Sequence, residues 1–154
     1  MLINTWHFSF TVSDIDQSIH FYRDVLGMEL VHTQEQANAY TRKFVGYPDA
    51  HLKVAQFRIP GLATPRSGHI LELVEYVAPR GVKVDTRTLN TCTAHLAFQV
   101  DDIHAVHDRM TTLGVRFRSD PVAIEAGINR GGFTCYFLDP DDITLEIIQP
   151  PARP

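Results

Sequence analysis

The chain has 154 residues, a length that suits one domain with its own core or two small halves that share one. Hydrophobic residues make up 44% and charged residues 21%, so the composition is that of a globular protein rather than a disordered one. The formal net charge is −4 and no basic stripe is visible, which argues against nucleic acid or an anionic membrane as a partner.

The N-terminus and the two cysteines bear on the compartment. Residues 1–11 are not a basic segment followed by a long apolar run, so the sequence predicts no signal peptide and no membrane span, and we expect a cytoplasmic protein. Cys92 and Cys135 do not have the spacing of a zinc motif, and a chain of this size does not need a disulfide to fold. We therefore expect two buried free thiols.

The chain contains an internal repeat. Residues 6–15 (WHFSFTVSDI) align with residues 94–103 (AHLAFQVDDI) at a constant separation of 88 positions, and His, Phe, Val, Asp and Ile recur. A second match joins residues 71–74 (LELV) to residues 145–148 (LEII). Matches at both ends of a segment indicate a duplicated unit. We expect a single domain over 1–154, with module one at about 1–77, a linker at about 78–92 and module two at about 93–150.

Each copy predicts the element order β-α-β-β-β. In residues 6–12 apolar and polar side chains alternate, which predicts a strand with one buried face. Asp14 then fits a helix N-cap, and Gly27 fits the left-handed position that ends a helix. The second copy repeats this pattern with Asp102 and Gly114.

Shorter apolar runs predict the remaining strands. They cover residues 29–32, 51–59 and 70–76 in the first copy and residues 115–118, 133–138 and 144–148 in the second. Residues 34–50 form an insertion that contains turn formers, and residues 60–69 form a loop rich in proline and glycine.

Two histidines and two glutamates occupy equivalent places in the copies. His7 and His95 lie on the first strand of each copy, and Glu72 and Glu146 lie within the aliphatic last strands. A carboxylate in an apolar strand is costly unless a cation or hydrogen-bond donors satisfy it. Each residue alone is more typical of a structural role, but the repeat joins all four. Two imidazoles and two carboxylates suit one divalent ion, which could be Zn, Ni, Co, Mn or Fe, and no other cofactor is indicated.

The chain resembles the vicinal oxygen chelate superfamily, which includes glyoxalases, bleomycin-resistance proteins and extradiol dioxygenases. The resemblance covers all but the insertion, the linker and the tail. Five motifs match. Three lie in the first copy: His7 together with residues 11–14, the helix end at residues 21–28, and residues 71–73. Two lie in the second copy: residues 95–102, and the turn at residues 139–142 that leads into Leu145 and Glu146.

The resemblance implies a fold and a ligand set. The fold is α+β, with two tandem βαβββ modules forming a half-open barrel around a metal site. His7, Glu72, His95 and Glu146 match the four metal-ligand positions of the superfamily. Many relatives end the turn at residues 139–142 in glycine where this chain has Asp142, and aspartate tolerates a left-handed backbone moderately well.

The ligand pattern predicts a lyase, isomerase or epimerase of the glyoxalase type, which moves a proton next to a carbonyl. The metal would stabilise an enolate, and Glu72 and Glu146 would be the catalytic residues that remove and return the proton. We expect a small-molecule substrate with vicinal or carbonyl oxygens. The strand edges and flat sheet faces favour a homodimer, and the sequence leaves open whether the site lies within one chain or across two.

Two other functions remain open. Extradiol cleavage of catechols by Fe(II) needs two histidines and one carboxylate, and His51 and His69 are the spare histidines. The complete second glutamate argues against that reaction. A non-catalytic small-molecule-binding or antibiotic-resistance protein is the third possibility, although such proteins generally lack the ligand quartet. No glutathione-binding signature is recognisable, so the sequence names no substrate.

Overall fold

A computed structural model of the chain describes residues 1–152. This part of the chain divides into two compact units, one from Met1 to Lys83 and the other from Val84 onward. Each unit contains one β-sheet and one copy of the repeat, which confirms the α+β class and the two tandem modules. Among the described residues, no helix is both long enough and apolar enough to cross a membrane.

The first unit is a four-stranded sheet covered by a helix that continues as a π-helical segment. The sheet order is β1-β4-β3-β2, in which β1 is parallel to β4 and the other pairs are antiparallel. Its elements are β1 (Phe8–Val12), α1 (Ile15–His20), the π-helical segment (Phe21–Val25), β2 (Glu29–Gln36), α2 (Ala39–Val45), β3 (His51–Arg58) and β4 (Leu71–Ala78).

The second unit repeats this topology in a smaller form. The main path of its sheet is β5-β9-β8-β6, in which β5 is parallel to β9, and a short strand β7 pairs with β8. Its elements are β5 (Leu96–Gln99), α3 (Ile103–Thr112), β6 (Arg116–Phe117), β7 (Val122–Ala123), β8 (Phe133–Leu138) and β9 (Thr144–Gln149).

The predicted helix ends are confirmed. The Asp14 carboxylate accepts hydrogen bonds from the backbone amides of Asp16 and Gln17, both at 3.0 Å. The Asp102 carboxylate accepts one from the Ala105 amide at 3.0 Å. Such N-caps satisfy amides that have no partner inside the helix. Gly27 and Gly114 have φ of 79° and 81°, so at both positions the chain leaves the helix through the left-handed region, which glycine adopts without strain.

A second contact anchors each helix to the last strand of its own unit. The side chain of Glu75 is buried, and its Oε2 accepts a hydrogen bond from the Ile15 amide at 3.0 Å. In the second unit Gln149 Oε1 accepts the equivalent bond from the Ile103 amide at 2.8 Å. The duplicated sequence therefore uses a carboxylate in one copy and a carboxamide in the other to accept the same helix amide.

The insertion is more ordered than expected. Residues 34–36 extend β2, and residues 39–45 form α2, so the insertion at 34–50 contains a helix and the end of a strand in addition to its predicted turn formers. Asn38 caps this helix by accepting a hydrogen bond from the Thr41 amide at 2.9 Å, and Gly46 ends it with φ of 80°. The helix has only seven residues, which is too short for hydrophobic periodicity to reveal it.

Two further details test sequence expectations. Both cysteines are free thiols, and Cys135 is buried as expected, but Cys92 is exposed, so the prediction of two buried thiols is wrong for Cys92. Asp142 has φ of 64°, which confirms that aspartate occupies a left-handed position in this turn. The Asp142 carboxylate also accepts a hydrogen bond from Arg116 at 2.6 Å.

The helix anchors can be tested by replacing Glu75. Glu75→Gln should leave the free energy of unfolding close to that of the unmodified chain, because a carboxamide oxygen still accepts from Ile15, as Gln149 does from Ile103. Glu75→Leu buries the Ile15 amide without an acceptor and should cost about 1–3 kcal/mol. Urea denaturation followed by circular dichroism measures both, and equal stability of the two variants would contradict the anchor.

Candidate metal centre

The first unit places His7 beside Glu72. His7 comes directly before β1, and Glu72 lies in β4, where it faces Ser9 across the parallel pair. Side chains alternate across a strand, so His7 and Ser9 share the face of Glu72. His7 Nε2 lies 3.7 Å from Glu72 Oε1, and both side chains are partly buried. This spacing is too long for a hydrogen bond between the two atoms.

The second unit contains the equivalent pair in the same register. His95 comes directly before β5, and Ala97 faces Glu146 across β5 and β9, as Ser9 faces Glu72. His95 Nε2 lies 3.2 Å from Glu146 Oε2. The repeat seen in the sequence therefore produces the same arrangement of histidine and glutamate once in each sheet.

A neighbouring strand holds one oxygen of each carboxylate. Gln56 in β3 donates a hydrogen bond from Nε2 to Glu72 Oε2 at 2.9 Å. Thr134 in β8 donates from Oγ1 to Glu146 Oε1 at 2.5 Å. In both units the other oxygen of the carboxylate is the one closest to the histidine. The carboxylates are thus oriented by hydrogen bonds that leave the histidine side available to a ligand.

Sequence reasoning missed Gln56 and Thr134. Both lie on strands that were predicted, residues 51–59 and 133–138, and both strands pair with the strand that carries the glutamate. Strand alternation could have shown which residues of these strands share a face with the glutamates. Choosing the residue opposite each glutamate also requires the pairing register, which the sequence alone did not provide.

His69 joins the first pair. It is buried, with an exposed fraction of 3%, and its ring plane is inclined by 29° to that of His7, with ring centroids 5.1 Å apart. Its Nε2 lies 3.1 Å from His7 Nδ1 and 4.0 Å from Glu72 Oε2. Potential ligand atoms of His7, His69 and Glu72 lie within 4.8 Å of one another. The sequence had offered His69 only as a spare histidine for ring cleavage.

His51, the other spare histidine, lies elsewhere in the first unit. It begins β3 and its Nε2 is 2.6 Å from the Glu35 carboxylate, an interaction with β2 rather than with the His7 pair. His51 therefore does not belong to the cluster formed by His7, His69 and Glu72.

The donor atoms fit a divalent metal ion. Imidazole nitrogens and carboxylate oxygens are ligands of Zn, Ni, Co, Mn and Fe(II), and the four predicted residues supply only these types. Cys135 lies on β8 near this chemistry, but burial and, to a smaller extent, the Glu146 carboxylate raise the pKa of its thiol to about 11. Cys135 pairs with Ile147 across β8 and β9, whereas the neighbouring Tyr136 pairs with Glu146, so the Cys135 side chain lies on the opposite face of the sheet from Glu146.

A cleft of about 440 Å³ opens beside His7 and Glu72 in the first unit. Helix α2 and the extended end of β2 supply much of its wall, so the insertion forms part of the site. Among the described residues, those that line the cleft include neither lysine nor arginine. The lining residues are His7, Ser9, Thr11, Gln34, Gln36, Tyr40, Thr41, Phe44, Val45, Leu52, Val54, Glu72, Val74 and Tyr76.

Comparison with known families identifies the chain. Residues 6–147 match the model of the Glyoxalase/Bleomycin resistance protein/Dioxygenase superfamily, and the chain belongs to that superfamily. The match spans both units and confirms the resemblance seen in the sequence motifs.

Two relatives are similar over most of their length. One is a 2-epi-5-epi-valiolone epimerase from Actinomyces sp, 33% identical over 150 residues that cover 95% of this chain and 79% of the relative. The other is a lactoylglutathione lyase from Haemophilus influenzae, 34% identical over 146 residues that cover 93% of this chain and 90% of the relative. They confirm the prediction that the chain is an enzyme of the glyoxalase type.

The fold is also found among solved structures. A glyoxalase family protein from Bacillus cereus is similar with a TM-score of 0.77 and 18% identity, over 99% of this chain and 97% of that one. At this identity the similarity concerns the fold.

Metal binding can be tested by thermal unfolding of the metal-free protein. Addition of Zn, Ni, Co or Mn should raise Tm, because an ion at a hundredfold excess over its Kd contributes about 2.7 kcal/mol. Glu72→Gln and Glu146→Gln should both reduce that rise if one ion uses carboxylates from both copies, whereas His20→Gln, at an exposed histidine, should not. A normal rise in Glu146→Gln with a lost rise in Glu72→Gln would contradict the four-ligand site.

Proposed function

We propose that the chain is a divalent metal-dependent lyase, isomerase or epimerase that moves a proton next to a carbonyl group. The observation that carries the proposal is the pair of histidine and glutamate in the same register in both units. Return of a proton to the face opposite the one from which it was removed calls for two bases, and the duplicated unit supplies two equivalent carboxylates. The chain belongs to a superfamily whose relatives here are named as a lyase and an epimerase.

In this proposal His7, Glu72, His95 and Glu146 hold the ion. A bound divalent ion acts as a Lewis acid that stabilises negative charge on the substrate oxygen. Hydrogen bonds to Glu72 and Glu146 keep one oxygen of each carboxylate in place, which reduces the reorganisation needed when the other oxygen changes partner.

Glu72 and Glu146 also carry the proton. Each carboxylate has one oxygen toward a histidine and one oxygen bound to a neutral donor, either Gln56 or Thr134. One glutamate, ionised, would take the substrate proton on its oxygen toward the histidine. The other, protonated at the outset, would return its own proton to the carbon, so the two glutamates exchange protonation states. An enzyme that returns the proton to the other face is an epimerase, whereas return to a neighbouring atom gives an isomerase.

The cleft supports a neutral, hydroxylated substrate. Its lining combines hydroxyl and amide side chains, such as Thr11, Gln34 and Gln36, with the aromatic rings of Tyr40 and Phe44. Hydroxyls and amides both donate and accept hydrogen bonds, so they can recognise alcohol groups. An anionic adduct such as lactoylglutathione would meet no lysine or arginine among the residues lining this cleft. We therefore favour an epimerase over a glutathione-dependent lyase.

Extradiol ring cleavage remains the second candidate, because His69 provides the second histidine that this reaction needs beside one histidine and one carboxylate of the first unit. His7, His69 and Glu72 together are two histidines and one carboxylate, the set that non-haem Fe(II) oxygenases use. Iron in the purified protein together with oxygen uptake on catechols would favour this function. A metal-free chain that binds a small molecule stoichiometrically would instead favour a binding protein.

The two catalytic carboxylates can be tested by isosteric replacement. Glu72→Gln and Glu146→Gln should each lower kcat by a factor of about 10² to 10⁴, the usual contribution of general acid–base catalysis. Exchange of the substrate α-proton in D2O, followed by NMR, measures the step directly. Glu125→Gln, in a loop of the second unit, is the control and should exchange at the unmodified rate.

Mixing the two inactive variants tests the proposed homodimer. If one site combines the first unit of one chain with the second unit of its partner, a mixed dimer of Glu72→Gln and Glu146→Gln contains one unmodified site and regains activity. If each site lies within one chain, mixing restores nothing. Full activity of either variant alone would contradict the proton-transfer assignment.

The substrate class can be tested by charge. Neutral cyclic polyhydroxy ketones should undergo α-proton exchange at least tenfold faster than lactoylglutathione at equal concentration, because an unpaired anion in the cleft is desolvated without a counter-charge. Gln34→Arg adds a cation to the wall of the cleft and should reduce the difference in exchange rate between the neutral ketones and lactoylglutathione. Faster exchange of lactoylglutathione by the unmodified chain would overturn the neutral-substrate assignment.

A further inference from the structure

We propose that His69 is a positioning residue that fixes the tautomer of His7, so that His7 Nε2 carries the lone pair that binds the metal. The inference rests on the proposed metal-dependent function and extends it to a residue outside the four predicted ligands. It is carried by a chain of three polar groups in the first unit, formed by Ser67, His69 and His7.

The first link decides which nitrogen of His69 is protonated. His69 Nδ1 lies 3.1 Å from the backbone carbonyl oxygen of Ser67. A carbonyl oxygen can only accept a hydrogen bond, so Nδ1 must carry the proton and donate it. The Ser67 hydroxyl oxygen lies 2.6 Å from the carbonyl oxygen of Trp6 and 2.8 Å from that of His69, and it donates its one proton between them. These contacts hold the loop against the segment that precedes β1.

The second link decides the tautomer of His7. With its proton on Nδ1, neutral His69 has a lone pair on Nε2, and this atom lies 3.1 Å from His7 Nδ1. His7 Nδ1 must therefore donate, which leaves the lone pair of His7 on Nε2. That nitrogen is the one directed at Glu72 Oε1, 3.7 Å away. His7 Nε2 and Glu72 Oε1 both carry lone pairs, and two such atoms that face each other at this distance can both bind one cation.

Burial makes this arrangement effective. His69 has an exposed fraction of 3%, so water does not compete for its ring nitrogens as it does for those of a surface histidine. Outer hydrogen bonds of this kind orient a ligating histidine and raise its basicity, and their loss typically costs 10–100-fold in metal affinity.

In the second unit, the position that corresponds to His69 is not a histidine. Glu72 and Glu146 are 74 positions apart, and the residue 74 positions after His69 is Ile143, a buried aliphatic side chain that cannot accept a hydrogen bond. The side chain of His95 is 42% exposed, compared with 28% for His7. The two predicted imidazole ligands therefore differ, and His7 is the one that the fold orients before the ion arrives.

His69 could instead bind the ion itself, as the ring-cleavage alternative requires. Its Nε2 cannot do both, because the lone pair that accepts from His7 is the one that would bind the metal. The chain of hydrogen bonds accounts for both nitrogens of His69 and for Nδ1 of His7, and this is why the positioning role is favoured.

The tautomers can be observed directly by NMR. Long-range ¹H–¹⁵N correlation of the histidine rings in the full metal-free chain at pH 8, above the ordinary imidazole pKa of about 6.5, should show His7 and His69 protonated on Nδ1. Addition of zinc should move the Nε2 resonance of His7 and leave the Nε2 of His69 unligated. Protonation of His7 on Nε2, or a zinc-bound His69, overturns the proposal.

Substitutions provide a second readout. His69→Leu should release His7 from the Nδ1-protonated tautomer and weaken zinc binding by about 10–100-fold in competition with a chromophoric chelator. His69→Gln, whose amide oxygen can still accept from His7, should recover most of the affinity. His107→Leu, at a largely buried histidine packed on Phe117 in the second unit, is the matched control and should bind zinc normally.

A double variant separates positioning from ligation. In a His7→Ala background, His69→Leu should cause no further loss of zinc affinity, because the residue that it positions is gone. A full additional loss would show that His69 contacts the ion itself. Should His69→Leu not fold, the Nε2 resonance of His69 in the zinc-loaded unmodified chain decides the same question, because only a ligating His69 binds zinc through that atom. If the unmodified chain binds none of Zn, Ni, Co and Mn, the proposed function fails, whereas a His7 tautomer that His69→Leu leaves unchanged refutes the role of His69 alone.

Discussion

The parallel pairing of the first and last strands in each unit is the constraint on which the candidate site depends. A parallel pair needs a crossover connection, and the helix and the two intervening strands of each module supply it. The pairing brings two residues far apart in sequence, such as His7 and Glu72, to neighbouring positions on one sheet face. The same pairing recurs between β5 and β9 with His95 and Glu146, so each unit forms its pair by the same topology.

The last strand of each unit serves the fold with one face and the candidate chemistry with the other. Glu72 and Glu75 lie three positions apart in β4, and an odd separation puts them on opposite faces. Glu75 anchors the helix in the core, whereas Glu72 faces the cleft with Tyr76. A register slip of one residue would exchange the faces and destroy both arrangements, so the helix anchor also protects the geometry of the site.

The two copies have kept the shared pair and diverged around it. The first unit has the buried His69 where the second has Ile143, and it has the added helix α2 beside its cleft. His95 is also more exposed than its counterpart His7. In the proposed enzyme, the first unit would pre-orient its histidine and recognise the substrate through α2. The second unit would contribute the matching carboxylate, held by Thr134 rather than by Gln56.

The sequence by itself determined the duplicated module, the helix caps at Asp14 and Asp102, most of the strands and the histidine–glutamate pairs. These features repeat along the chain or follow from local alternation and capping chemistry, so no knowledge of distant contacts is needed. Only the tertiary structure revealed Gln56, Thr134 and Ser67 around the pairs, separated His69 from His51, and showed that residues 39–45 form a wall of the cleft. Those contacts depend on strand register and on how loops return to the sheet, and local sequence patterns do not specify either.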